Sequence, residues 1–88
     1  MGAASALDDR PDRLELTSDG LPARLEWHRR LYEVTDAPTP LQDALGALLT
    51  HPLPVTGWRF QGTAVGGDAR VFDVLLADGG WRVIKTWR

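Results

Sequence analysis

The sequence predicts a mainly β domain: a small, partly open barrel or roll of about five antiparallel strands, with one helix packed across it. Three observations carry that reading. ARLEWHRRLYEV folds back on itself in one register that suits both faces of a hairpin. The last third, GWRFQGTAV-GGD-ARVFDVLLA-DGG-WRVIKTW, alternates strand and turn. APTPLQDALGALLTHP holds the one helical periodicity in the chain.

The 88 residues fit a single domain with a modest core. Residues 1–12 are small, polar and acidic without periodicity and are expected to be a disordered tail. Residues 13–88 are expected to form the single β domain. RLELT, residues 13–17, alternates Leu14 and Leu16 with polar neighbours and reads as an edge strand. Asp19-Gly20 and Pro22 then break it.

For the hairpin, a two-residue loop at His28-Arg29 pairs Trp27 with Arg30, Leu25 with Tyr32 and Ala23 with Val34. One face becomes apolar and the other places Arg24 opposite Glu33. A slip of one residue would spoil both faces. The loop itself is costly. A type I′ turn needs positive φ at both central residues, and a β-carbon there is penalised by about 1 kcal/mol.

The helix is expected over about residues 40–50. Thr39 is its N-cap, Pro40 its first residue and Gln42 completes a capping box. Leu41, Ala44, Leu45, Leu48 and Leu49 make one stripe, and Pro52 and Pro54 end it. In the final meander, a Gly66-Gly67-Asp68 loop sets Trp58 opposite Leu76, Phe60 opposite Val74 and Gly62 opposite Phe72. Trp81, Val83 and Trp87 join that face, with Lys85 awkwardly among them. The opposite face holds Val65, Val71, Leu75 and Ile84, so the sheet needs a cover on both sides.

LPARLEWHRRLYEV resembles the pattern P-x-x-[FL]-x-W-x-G-R-x-Y-x-V, followed by a variable middle and a WR…VFDV…DGGWRVIKTW ending. The pattern is similar to that of a family of small bacterial domains of unknown function. These occur alone and as a C-terminal appendage on catalytically dead Y-family-polymerase-like proteins of an inducible mutagenesis complex. Trp27, Arg30, Tyr32, Val34, Trp81 and Arg82 match position by position. Arg29 stands where the family has glycine, and the middle, Ala37 to Val55, is longer and more helical. The resemblance implies a bacterial protein in a DNA-damage or lesion-tolerance setting.

Several function classes are disfavoured by composition. The chain has no cysteine, which removes disulfides, thiolate chemistry and cysteine-based zinc sites. His28 and His51 are far apart and have no partners at metal-binding spacing; Ser5 and Ser18 have no triad around them. No catalytic residues, metal or cofactor are expected. No apolar run is long enough to span a bilayer, no secretory signal is expected from MGAASALDDRPDR, and Ala6 stands where a myristoylation pattern wants Ser or Thr. A cytoplasmic protein without a membrane partner is expected.

Net charge is −2, unevenly placed: residues 1–20 carry five acids against two arginines, and the rest is near neutral. All four tryptophans, Trp27, Trp58, Trp81 and Trp87, have arginine beside them or two residues on. Such interleaving suits single-stranded nucleic acid, with stacking from the rings and phosphate contacts from the cations. The candidate contacts are Arg24, Arg29, Arg30, Arg59, Arg82 and Arg88, and the acidic start is expected to compete for that face. Strand alternation also explains the pattern as inward tryptophan and outward arginine. Arg30 is expected to lie over the Trp27 ring. The alternative role is a protein-interaction adaptor that docks a partner through the helix stripe or an edge strand.

Overall fold

The computed structural model describes residues 4–46 and 56–88, with side chains from Asp9 to Asp43 and from Thr56 onward. In chain order the elements are β1 (Ala4–Asp9), β2 (Arg13–Leu16), β3 (Pro22–Trp27), β4 (Arg30–Val34), β5 (Thr39–Pro40), α1 (Leu41–Gly46), β6 (Gly57–Ala64), β7 (Ala69–Ala77) and β8 (Gly80–Trp87). One antiparallel sheet holds all eight strands, where about five were expected. Its order is β1-β8-β7-β6-β4-β3-β2, and β5 pairs with the start of β6 while β4 pairs with its end. The sheet curls into a half-barrel. No described helix is long and apolar enough to cross a membrane.

Residues Ala4–Asp9 correct the expectation of a disordered tail. They pair with β8 from Ala4↔Trp87 to Asp9↔Val83. A strand needs only backbone donors and acceptors from its neighbour, and the free edge of β8 supplies them. β1 and β2 thus lie at opposite ends of the sheet yet are joined by Arg10–Asp12. Four peptide steps span at most about 15 Å, so the sheet must bend until its ends approach. The Asp12 amide donates to Glu26 O at 2.8 Å, and Arg10 donates to Gly79 O at 3.2 Å.

The β3–β4 hairpin has the expected register, Trp27↔Arg30, Leu25↔Tyr32 and Arg24↔Glu33. Arg24 Nε donates to Glu33 at 2.9 Å. The turn is as costly as anticipated: His28 has φ 51° and Arg29 φ 63°. Contacts with Trp27, with Asp9 at the end of β1 and with Asp12 in the β1–β2 link hold it there. The His28 ring stacks on Trp27 at 3.8 Å, its Nε2 donates to Asp9 at 2.6 Å, and the Arg29 amide donates to Asp12 at 3.2 Å.

Two registers differ from expectation. The β6–β7 loop is Val65-Gly66-Gly67, closed by the Ala64 amide on Asp68 O at 2.8 Å. Pairing therefore runs Trp58↔Val74, Phe60↔Phe72 and Gly62↔Arg70. The observed loop places both glycines at positive φ, 99° and 93°, and frees Asp68 from the turn. Because the shift is by two residues, each side chain keeps its face. Gly62 still receives aromatic rings: a β-carbon there would stand 2.9 Å from Tyr32 Cβ and 3.2 Å from Phe72 Cε2.

The second difference is a bulge. Asp73 pairs with Lys85 but Val74 pairs with Val83, so Ile84 is the extra residue. Beyond it the faces exchange. Thr86 turns inward opposite Phe72, while Lys85 and Trp87 move to the opposite face. That removes the lysine from the core. Val65 also leaves the second apolar face; it sits in the loop, 97% exposed.

The core is Leu25, Trp27, Tyr32, Phe60, Ala64, Phe72, Val74 and Val83. Phe72 meets Trp27 and Tyr32 edge-on at 5.5 and 5.0 Å. The helix begins at Leu41, because Thr39 and Pro40 pair with β6 instead of capping it. Leu41 is buried against the β-carbon-free Gly57, which brings the helix onto the sheet. The remaining positions of the leucine stripe, from Ala44 on, lie outside the residues whose side chains are described.

Arg29→Gly relieves the left-handed strain while keeping the amide that binds Asp12. It should raise stability by about 1 kcal/mol, read as a higher urea midpoint. Lowered stability would mean that the arginine side chain stabilises the turn.

Candidate functional site

The half-barrel has a charged mouth because its inward-facing columns end in charged residues. Beyond Tyr32 the inward column of β4 reaches Arg30. Beyond Phe72 that of β7 reaches Arg70 and Asp68, and beyond Thr86 that of β8 reaches Arg88. All four converge. Asp68 Oδ2 accepts from Arg30 at 2.9 Å, from Arg70 Nε at 3.4 Å and from the Tyr32 hydroxyl at 3.4 Å. Arg88 approaches Oδ1 at 3.3 Å. Three cations around one carboxylate leave two positive charges in surplus. The Asp68 side chain is 20% exposed and that of Arg70 25%, whereas Arg30 and Arg88 stand open to solvent at 54% and 67%.

Burial acts to raise the Asp68 carboxyl pKa. The Arg70 hydrogen bond, the charges of Arg88 and Arg70 and the Arg30 hydrogen bond outweigh it and hold the group below its usual range.

Aromatic surface borders this cluster. The Arg70 guanidinium lies 6.0 Å from the Trp27 ring, and His28 covers that ring while remaining 64% exposed. The Trp27 Nε1–H donates to Asp9 at 3.2 Å, fixing the indole. A groove of about 230 Å³ lies on the opposite face of the sheet, lined by Gln61, Ala69 and Val71 and bordered by Arg70 and Arg88.

Of the six arginines proposed from sequence, the structure brings Arg30 and Arg88 to this mouth. The others lie elsewhere. Arg24, on the opposite face, pairs with Glu33 and stands 3.9 Å from Glu15. Arg29 is at the hairpin tip, its amide on Asp12. Arg82 sits opposite Leu75 on β8. Arg59 is committed to Asp73, with two hydrogen bonds of 2.7 and 2.9 Å, and its guanidinium lies 4.8 Å from the Trp87 ring. Its pKa is raised by the Asp73 hydrogen bond, against desolvation, with the Asp73 charge adding. Arg70, not Arg30, stands over Trp27, and both guanidinium groups reach Asp68.

Sequence reasoning missed Asp68 and Arg70. Their signal was local: Asp68, just before β7, and Arg70 within it are two apart in extended chain and so share a face. Asp68 was assigned to the loop, which hid it. In the acidic start, Asp9 and Asp12 are engaged at the hairpin tip. Among the described residues no three His, Asp or Glu side chains gather as a metal site requires.

No family model matches the chain, and neither curated proteins nor solved structures give a match.

Two outcomes test these assignments. A carboxylate held below its usual pKa stabilises the fold at any pH above the unfolded value of about 3.9, and the gain is lost as pH falls through the folded value. Urea midpoints should therefore drop below about pH 4, and Asp68→Asn should flatten that acid limb. For Arg59, Arg59→Met strands the Asp73 carboxylate, which is only 2% exposed. The cost should be about 2–3 kcal/mol, below that of a fully buried pair because Arg59 keeps some solvent. Arg59→Met with Asp73→Leu should recover part of it. A loss under about 0.5 kcal/mol in the single variant would show the pair to be dispensable.

Proposed function

We propose that the domain is a non-catalytic binding module that contacts single-stranded nucleic acid at its arginine-lined mouth. The setting implied by the resemblance is DNA damage or lesion tolerance. The observation that carries this reading is the excess of cations: Arg30, Arg70 and Arg88 converge on the lone Asp68 carboxylate. Beside them, the His28 ring lies stacked on Trp27 with most of its surface free, an arrangement suited to a nucleobase. A strand needs such a combination because its phosphates supply charge and its bases supply flat apolar faces.

The adaptor reading rests on a different observation. β2 ends the sheet as a strand of four residues, and Leu16 on it is 42% exposed. A partner strand could add there through backbone hydrogen bonds. Of the helix stripe, Leu41 is buried against the sheet.

Titration of a labelled oligothymidylate separates the two. Each phosphate neutralised on a single strand contributes a slope of about −0.7 to log K against log salt. Three arginine contacts therefore predict about a 20-fold loss of affinity between 50 and 200 mM salt. Arg30→Gln should weaken binding and reduce the slope, whereas Leu16→Asp should leave both unchanged. Absence of binding at low salt would remove the nucleic-acid reading and leave the adaptor.

A further inference from the structure

We infer that the Asp68 carboxylate occupies the seat of a ligand phosphate, and that this ligand is a single strand ending in a phosphomonoester. The inference rests on the nucleic-acid reading above and sharpens it.

The donors outnumber what a carboxylate can use. Each of Arg30, Arg70 and Arg88 contributes one nitrogen to Asp68, although a guanidinium carries five N–H groups. Three donors crowd Oδ2 while one serves Oδ1, and only the Arg30 bond is short, at 2.9 Å. A phosphate presents more acceptor oxygens in a tetrahedral array, so the same cations would each find a better partner.

Charge decides which phosphate. An internal phosphodiester carries one negative charge, the same as the carboxylate that it would displace, so the exchange brings no Coulombic gain. A terminal monoester carries about −1.5 to −2 at neutral pH and comes nearer to balancing three arginines.

The turn permits the exchange. Asp68 directly follows Gly66-Gly67, and a β-carbon at either glycine would meet nothing within 4 Å. The turn is held by the Asp68 carbonyl, not by its side chain, so the carboxylate can leave without opening β6–β7.

The test is fluorescence anisotropy with three short oligothymidylates: unphosphorylated, 5′-phosphorylated and 3′-phosphorylated. Wild-type protein should bind one phosphorylated strand at least about tenfold more tightly than the plain strand, the size expected of one added charge-assisted contact. Asp68→Asn, which removes the competing charge and keeps the shape, should widen that preference. Arg88→Gln should narrow it, so a poorly folded Asp68→Asn does not stall the test. The preference should fade below about pH 6 as the monoester takes up its second proton. Equal affinity for all three strands in wild type and both variants would overturn the inference and leave the nucleic-acid reading standing. Failure of every strand to bind at low salt would overturn both.

Discussion

A single sheet in so short a chain has no second layer of its own size to pack against, so it must fold its apolar face onto itself. Every notable local feature answers that demand. The absence of a side chain at Gly62 lets the rings of Tyr32 and Phe72 close over β6. The absence of one at Gly57 admits Leu41 and the helix. The Ile84 bulge adds twist where β8 must follow the bend, and it turns Lys85 out of the core. Bending also gathers the ends of β4, β7 and β8 at one mouth, which is why residues as distant as Arg30, Asp68 and Arg88 share one space.

The same side-chain chemistry serves two purposes here, and stoichiometry separates them. On the opposite face, Arg59 and Asp73 meet in a two-point bond; Trp87 lies against Arg59, and the Lys85 ammonium is 5.0 Å from the same ring. That carboxylate is nearly sealed from water and its partner is matched to it, an arrangement that fixes strand alignment. At the mouth three arginines share a partly exposed carboxylate. Such a surplus adds little to stability, since like charges crowd one another. It makes sense as a field directed outward.

What was legible in the sequence was what local pairing decides. Arg24 opposite Glu33 and Leu25 opposite Tyr32 fixed the hairpin, because only one register served both faces. Asp78-Gly79 was equally clear, with Gly79 at φ 89°. The β6–β7 loop was ambiguous, since GGD offers loops one residue apart and the choice rests on Asp68 reaching arginines from other strands. β1 was hidden for a stronger reason. ASALDD has no strand periodicity, and its order comes from a partner at the far end of the chain. The candidate site was half legible. Arg30 and Arg88 were named, but Asp68, the group that gathers them, lay within an assigned turn.

The pairing of Ala4 with Trp87 and of Asp9 with Val83 also sets a temporal order. As the chain emerges from a ribosome, β1 precedes every other described strand, and β8, its ladder partner among them, follows all the rest. The hairpin of β3 and β4 has its own partner at hand and forms without waiting. β1 must remain unpaired until β8 has left the tunnel, and its closing contact is among the most non-local in the fold. Its acidic end, Asp8 and Asp9, repels like-charged chains during that interval. A charged, short segment is a poor template for aggregation, so a composition that hid the strand from sequence reading also protects it while it waits.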